Sequence, residues 1–270
     1  MLEEFRTGSH AGSQSKTYDH AYSETMSRIE RQGANASGLA KKTIGWIINA
    51  KRNLTTAELE HALAIELETS EFDDKNITDI EQLTSYCCGL VLVDEQTTEV
   101  KLVHYTTQKY FENTLTSWFP EILDHITDCC LTYLSYDVFE EDRFEEKEEV
   151  KKIPNEYPFY SYSSLNWGHH FREAPGDRSI LLKFLQSEAK LTGYDRCGFE
   201  PLDWKPDPKT SGIKAEHIAA FFNLDHLMQE LLELSPDNLN IQDSSEHTPL
   251  FIAARHGHES VAKLLLNMGA

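Results

Sequence analysis

The stretch TPLFIAARHGHESVAKLLLNMGA, residues 248–270, decides the architecture of this chain. It reads as a Thr248-Pro249-Leu250 turn and a first helix whose small pair Ala253-Ala254 admits a closely packed neighbour. Gly257 and His258 close that helix, and a second helix ends at Gly269 and Ala270. Upstream, HIAAFFNLDHLMQELLE aligns with FIAARHGHESVAKLLLN without gaps. Ile218-Ala219-Ala220 falls over Ile252-Ala253-Ala254, and Leu231-Leu232 over Leu265-Leu266.

That offset lies near the period of about 33 residues of the ankyrin repeat, which the second copy closely resembles. Asn240 and Asp243 stand where an inter-repeat hairpin expects them. The departures are Glu246 where glycine is usual and Phe251 where histidine is usual. The first copy has Lys214-Ala215-Glu216 in place of the turn, as expected of an edge repeat meeting another domain. Two repeats, residues 213–270, are therefore expected. Stacked repeats normally need about three or more members, and VAKLLLNMGA has the apolar composition of an internal repeat, so the array is expected to be truncated. Its concave face would bind a protein partner, with Asp243, Ser244, Glu246, Arg255 and His256 as the candidate contacts.

Charge narrows the partners. Forty-five acids against 25 bases give a net charge of −20, which disfavours phosphate backbones and anionic lipid. No apolar run reaches the ~20 residues of a membrane span, and the N-terminus lacks a signal-peptide core. A cytoplasmic protein without nucleic-acid or membrane partners is expected. Five cysteines, with the adjacent pairs Cys87/Cys88 and Cys129/Cys130, do not form a disulfide framework and read as small buried apolar residues.

Residues 1–16 read as a disordered tail. Its GSQSKT is no phosphate-binding loop, because Ser15 and His10 hold the places of the required glycines. A helix spans residues 18–32 on the stripe Tyr18, Tyr22, Met26 and Ile29, and GANASG breaks it. Three helices follow: LAKKTIGWIINAK, LTTAELEHALAIE with Thr55 or Thr56 as N-cap, and ITDIEQLTSYCC with Thr78 as cap. Alternation in LVLVDEQTTEVKLVHY then makes a β-hairpin around DEQTT. Three helices and a hairpin, residues 38–115, have the winged-helix order. Residues 116–200 form a helical layer with the acidic loop EEDRFEEKEEVKK, and 201–212 are a linker broken by Pro201, Pro206 and Pro208. The fold class is mainly α: a winged helix of three helices plus a β-hairpin, a helical layer, and two ankyrin repeats.

Four blocks carry a second resemblance: AKRNLTTAELEHALAIE, CCGLVLVDEQTTEVKLVHYTTQKYFE, CLTYLSYDVFE and YPFYSYSSLNWGHH. In order and spacing they resemble the segment that follows the NACHT nucleotide-binding domain in large fungal NACHT–ankyrin (NLR-like) proteins. That segment is usually labelled the GPI inositol-deacylase winged-helix domain. The resemblance covers roughly residues 18–186. It implies an upstream nucleotide-dependent switch, a winged helix that relays its state, and downstream repeats that recognise a partner. The helix in residues 17–37 would then trail a NACHT region missing from the chain. A second possibility is that the chain supplies these parts in trans to a separate NACHT subunit.

No hydrolase is implied, since the chain has no G-x-S-x-G nucleophile elbow. DNA binding is disfavoured because the third helix offers Asp79 and Glu81 and no base, and the wing tip is acidic. In NWGHH, His169 and His170 are neighbours about 100° apart on a helix and nothing completes a metal site. The resemblance implies instead that Trp167 packs and the histidines pin the helix. His104 reads as structural at a strand-to-helix junction, and His217, His256 and His258 as residues whose hydrogen bonds fix ankyrin turns. No catalytic, cofactor-binding or metal-binding residue is expected, and the chain reads as a non-enzymatic interaction and regulatory fragment.

Overall fold

The computed structural model describes residues 10–140, 152–198 and 212–270, with the side chains of 18–140, 152–195 and 212–270. The start of the expected tail, nearly all of the acidic run and nearly all of the Pro-rich linker lie outside the described residues. The chain divides into two compact units, one of Met1–Leu63 and Ile77–Ile122, the other of Ala64–Asn76 and Leu123–Ala270.

In the first unit, α1 spans His10–Glu30 and α2 Ala34–Asn49. Both begin earlier than the sequence reading placed them. Residues 10–16, expected to be disordered, continue α1, since extending an existing helix adds one hydrogen bond per residue fixed. GANASG breaks the chain only at its first glycine: Gly33 is extended at ψ 151°, after which Ala34 and Ala36 favour helix. Met26 and Ile29 are fully buried, whereas Tyr18 stays 48% exposed. Tyr22 hydrogen-bonds Thr106 through its hydroxyl at 2.6 Å.

Helix α3, Thr56–Ala64, starts on a capping box. Thr55 Oγ1 accepts the Glu58 amide at 3.3 Å, and the Glu58 carboxylate accepts the Thr55 amide at 2.9 Å and grips Arg52. Helix α4, Ile80–Tyr86, is capped by Asp79 rather than Thr78, the Asp79 carboxylate accepting the Gln82 amide at 2.9 Å. A carboxylate at this place also complements the positive end of the helix.

Strands β1, Val91–Val93, and β2, Val100–Leu102, pair antiparallel with Val91 opposite Leu102. A bridge from Thr55 to Glu99 adds a third segment. Asp94 Oδ1 closes the turn by accepting the Gln96 and Thr97 amides. Helix α5, Tyr105–Trp118, completes the unit. Ile44, Trp46, Leu59, Leu83, Cys87, Val100 and Phe111 form its core.

The second unit begins with the connection between α3 and α4. Phe72 lies against Tyr133 and Tyr136, with ring centroids 5.8 and 6.1 Å apart. Helix α6, Ile122–Leu134, carries Tyr133 into a cluster of rings that also holds Phe139, Tyr157 and Phe159. A short helix α7, Ile153–Glu156, leads into α8, Phe159–Glu173, then α9, Arg178–Gln186, and α10, Glu188–Gly198. Helix α6 fastens the turn between α8 and α9 with three bonds: Thr127 Oγ1 donates to Ala174 O, Asp128 accepts the Asp177 amide, and Asp124 accepts the Gly176 amide.

Two helical hairpins close the unit, α11 (Ala215–Phe221) with α12 (Asp225–Leu234), and α13 (Pro249–Arg255) with α14 (Glu259–Met268). Their shared core is Ile218, Ala219, Ala220, Leu227, Met228, Leu232, Ile252, Ala253, Val261 and Leu265.

Candidate interaction site

The NWGHH segment is built into the core. Trp167 is fully buried, with Nε1 on the Tyr194 hydroxyl at 3.4 Å, and His170 Nε2 lies 2.8 Å from the Tyr162 hydroxyl. The Phe222 ring rests on Gly168, with Trp167 and His169 meeting it edge-on at 5.0 and 5.4 Å. His104 is the residue before α5 and makes no side-chain cap bond.

The hairpin helices are tied through histidine. The Lys214 amide donates to His217 Nδ1 at 3.0 Å, so Nε2 carries the hydrogen and donates to the carbonyls of Ile241 and His247, both at 3.2 Å. This bond set links α11 to the loop that introduces α13. Burial lowers the His217 pKa, consistent with a neutral ring. At the other end of the hairpins, His258 Nε2 donates to Phe221 O at 2.7 Å. Thr248 caps α13 by accepting the Phe251 amide at 3.2 Å.

The five candidate contacts fall in two places. Asp243, Ser244 and Glu246 share the loop tip ahead of α13, whereas Arg255 and His256 stand at its far end, about 10 Å away at 1.5 Å rise per residue. Asp243 is buried and holds the tip together, its Oδ1 accepting the Ser245 amide at 2.7 Å and the His247 amide at 3.0 Å. Ser244, Glu246 and Arg255 are exposed. Glu246 has φ +63°, the left-handed value that glycine adopts freely. The register that sets Ile252 over Ile218 sets Glu246 over Gly212, which packs against the backbone of Asp243 and Ser244. His256 is half-buried against the Phe221 ring at 4.9 Å, and burial, with His258 and Arg255 beside it, lowers its pKa.

Exposure differs sharply between equivalent positions. His217, Ala220 and Leu232 are covered, while their counterparts Phe251, Ala254 and Leu266 are exposed, Phe251 at 44% and Leu266 at 57%. The Phe251 ring stacks flat on His247 at 4.4 Å.

In the first unit, Asp79 and Glu81 at the start of α4 and Glu95 at the hairpin turn are exposed. Lys101 is tied to Glu99 at 2.7 Å and Asp94 at 3.2 Å, so its charge is neutralised in place.

Comparison with known families agrees with this geometry. Residues 26–120 match the family described as GPI inositol-deacylase, winged helix domain, and residues 181–270 match ankyrin repeats (3 copies). The chain joins a winged-helix domain to ankyrin repeats. The winged-helix match reaches back into α1, and the ankyrin match starts near the beginning of α9, ahead of the expected boundary at residue 213. No curated protein and no solved structure matches the chain. No described helix is long and apolar enough to cross a membrane, and among the described residues no group of three His, Cys, Asp or Glu could hold a metal ion.

The sequence reading gave turn-fixing hydrogen bonds to His217, His256 and His258: His217 and His258 make them, whereas His256 Nε2 is buried without a hydrogen-bond partner among the described residues. It also offered Asp243 as a contact, whereas a short acid two residues before a turn serves as readily to accept that turn's amides.

Proposed function

We propose that the chain is a non-enzymatic interaction and regulatory part of an NLR-like signalling protein. In this reading the ankyrin repeats bind a cytoplasmic protein partner, and the winged-helix domain relays the state of a NACHT nucleotide switch. The observation that carries the reading is the loop tip: Ser244 and Glu246 project as exposed polar groups from a backbone fixed by buried Asp243. Rigid elements presenting polar tips lose little entropy on binding. Arg255 and His256 would extend the contact along α13, with Asp243 positioning the tip. The NLR-like and fungal context rests on the four sequence blocks, and the absence of a nucleophile elbow supports a non-enzymatic role.

The test is quantitative affinity purification with the full chain and a Ser244→Lys, Glu246→Lys double variant. Proteins retained by the parent and lost from the variant, with helix content unchanged by circular dichroism, are expected. An identical set of retained proteins would remove the tip from the binding surface.

A further inference from the structure

A groove of about 440 Å³ opens between the end of α8, the start of α9 and the turn from α11 into α12. Its lining includes Phe171, Arg172, Pro175, Arg178, Leu224 and His226. The chain carries −20, yet the lining itself includes one carboxylate, Asp225, whose Oδ1 already accepts the His226 amide at 2.8 Å. Arg178 pairs with Glu230. Arg172 is exposed and has no ion-pair partner among the described residues. Leu224, Phe171 and Pro175 give the groove an apolar floor.

We propose that this groove docks an acidic linear peptide segment of a partner protein. One bulky apolar side chain would rest on Phe171, Pro175 and Leu224, with a flanking carboxylate on Arg172. A guanidinium fork matches a carboxylate with two parallel hydrogen bonds. A nucleic acid fits less well: a long polyanion meets the repulsion of the whole chain, whereas a short peptide feels chiefly the groove within a Debye length. The surface is separate from the α13 loop tip, so the inference goes beyond the function proposed above.

The test is fluorescence anisotropy of the full chain with a short fluorescein-labelled peptide bearing a Glu-Glu-Phe-Glu-Glu core. Saturable binding is expected, lost when glutamine replaces glutamate in the peptide. Arg172→Ala, at an exposed position, should weaken it about tenfold, the loss of one charge-assisted pair, while Arg172→Lys falls between. Glu95→Lys, an exposed change in the first unit, should bind as the parent does; the groove and the loop tip share no residue, so absence of binding here leaves the loop-tip reading standing. The proposal is overturned by no anisotropy change, by equal binding of the glutamine peptide, or by parental affinity in Arg172→Ala. Binding of a single-stranded oligonucleotide with the same dependence on Arg172 would also overturn it.

Discussion

Gly168 and Phe222 meet with no space between them: a Cβ built on Gly168 falls 2.1 Å from Phe222 Cγ. The glycine of NWGHH is there because the end of α11 lays an aromatic ring across α8. Gly168→Ala should destabilise the chain by about 1–3 kcal/mol, the usual cost of overpacking. The readout is the urea midpoint followed by tryptophan emission, to which the adjacent buried Trp167 contributes. Adding Phe222→Leu should recover part of the loss, and an unchanged midpoint in the single variant would disprove the contact.

The His217 bonds predict a dependence on pH. A histidine whose folded pKa lies below its unfolded value near 6.5 contributes stability that is complete above about pH 6.5 and declines as the pH falls through that value. His217→Leu should cost about 1–3 kcal/mol at neutral pH, because three half-buried backbone groups lose their partner. Denaturant titrations at a series of pH values should show the gap between parent and variant narrowing toward acid. A constant gap would mean that His217 is not the titrating group.

Glu246 holds a left-handed backbone that costs a side-chain-bearing residue about 1–2 kcal/mol, partly offset by the entropy glycine loses on folding. Glu246→Gly should therefore stabilise the chain by about 0.5–1 kcal/mol, and Glu246→Val should destabilise it. Thermal unfolding of the three proteins gives the order directly.

Burial pushes the Cys87 thiol up to about 12. At pH 8 the reactive thiolate is then about one part in ten thousand. Iodoacetamide should leave Cys87 untouched in the native chain and modify it in urea, as read by peptide mass spectrometry. Native labelling at the rate of a free cysteine would contradict its place beneath α2.

Local chemistry was legible where it repeats or alternates. The Thr248 turn before Pro249 and the DEQTT hairpin each bind neighbours close in sequence, so their spacing carries their structure, whereas of the small pair only Ala253 is covered and Ala254 is exposed. Helix starts were less legible. Thr78 and Asp79 are both good caps, and only the backbone geometry selects Asp79. The groove was invisible, because Arg172 and His226 come from segments that no period relates. The exposed loop tip could be found from polarity, but polarity could not separate Asp243, which holds the turn, from Ser244, which faces outward.

Cutting the chain at the edges of its winged-helix match would strand Phe72. Residues 64–76 lie inside the matched span of 26–120 but fold with the second unit. There Ser70 O accepts the Asp137 amide at 2.9 Å and Phe72 meets Tyr133 and Tyr136. An excised 26–120 fragment would carry that loop with its partners removed, and any loss of solubility in it would reflect the position of the cut rather than a weak domain. In this chain, the segment that is inherited together and the segment that folds together have different borders.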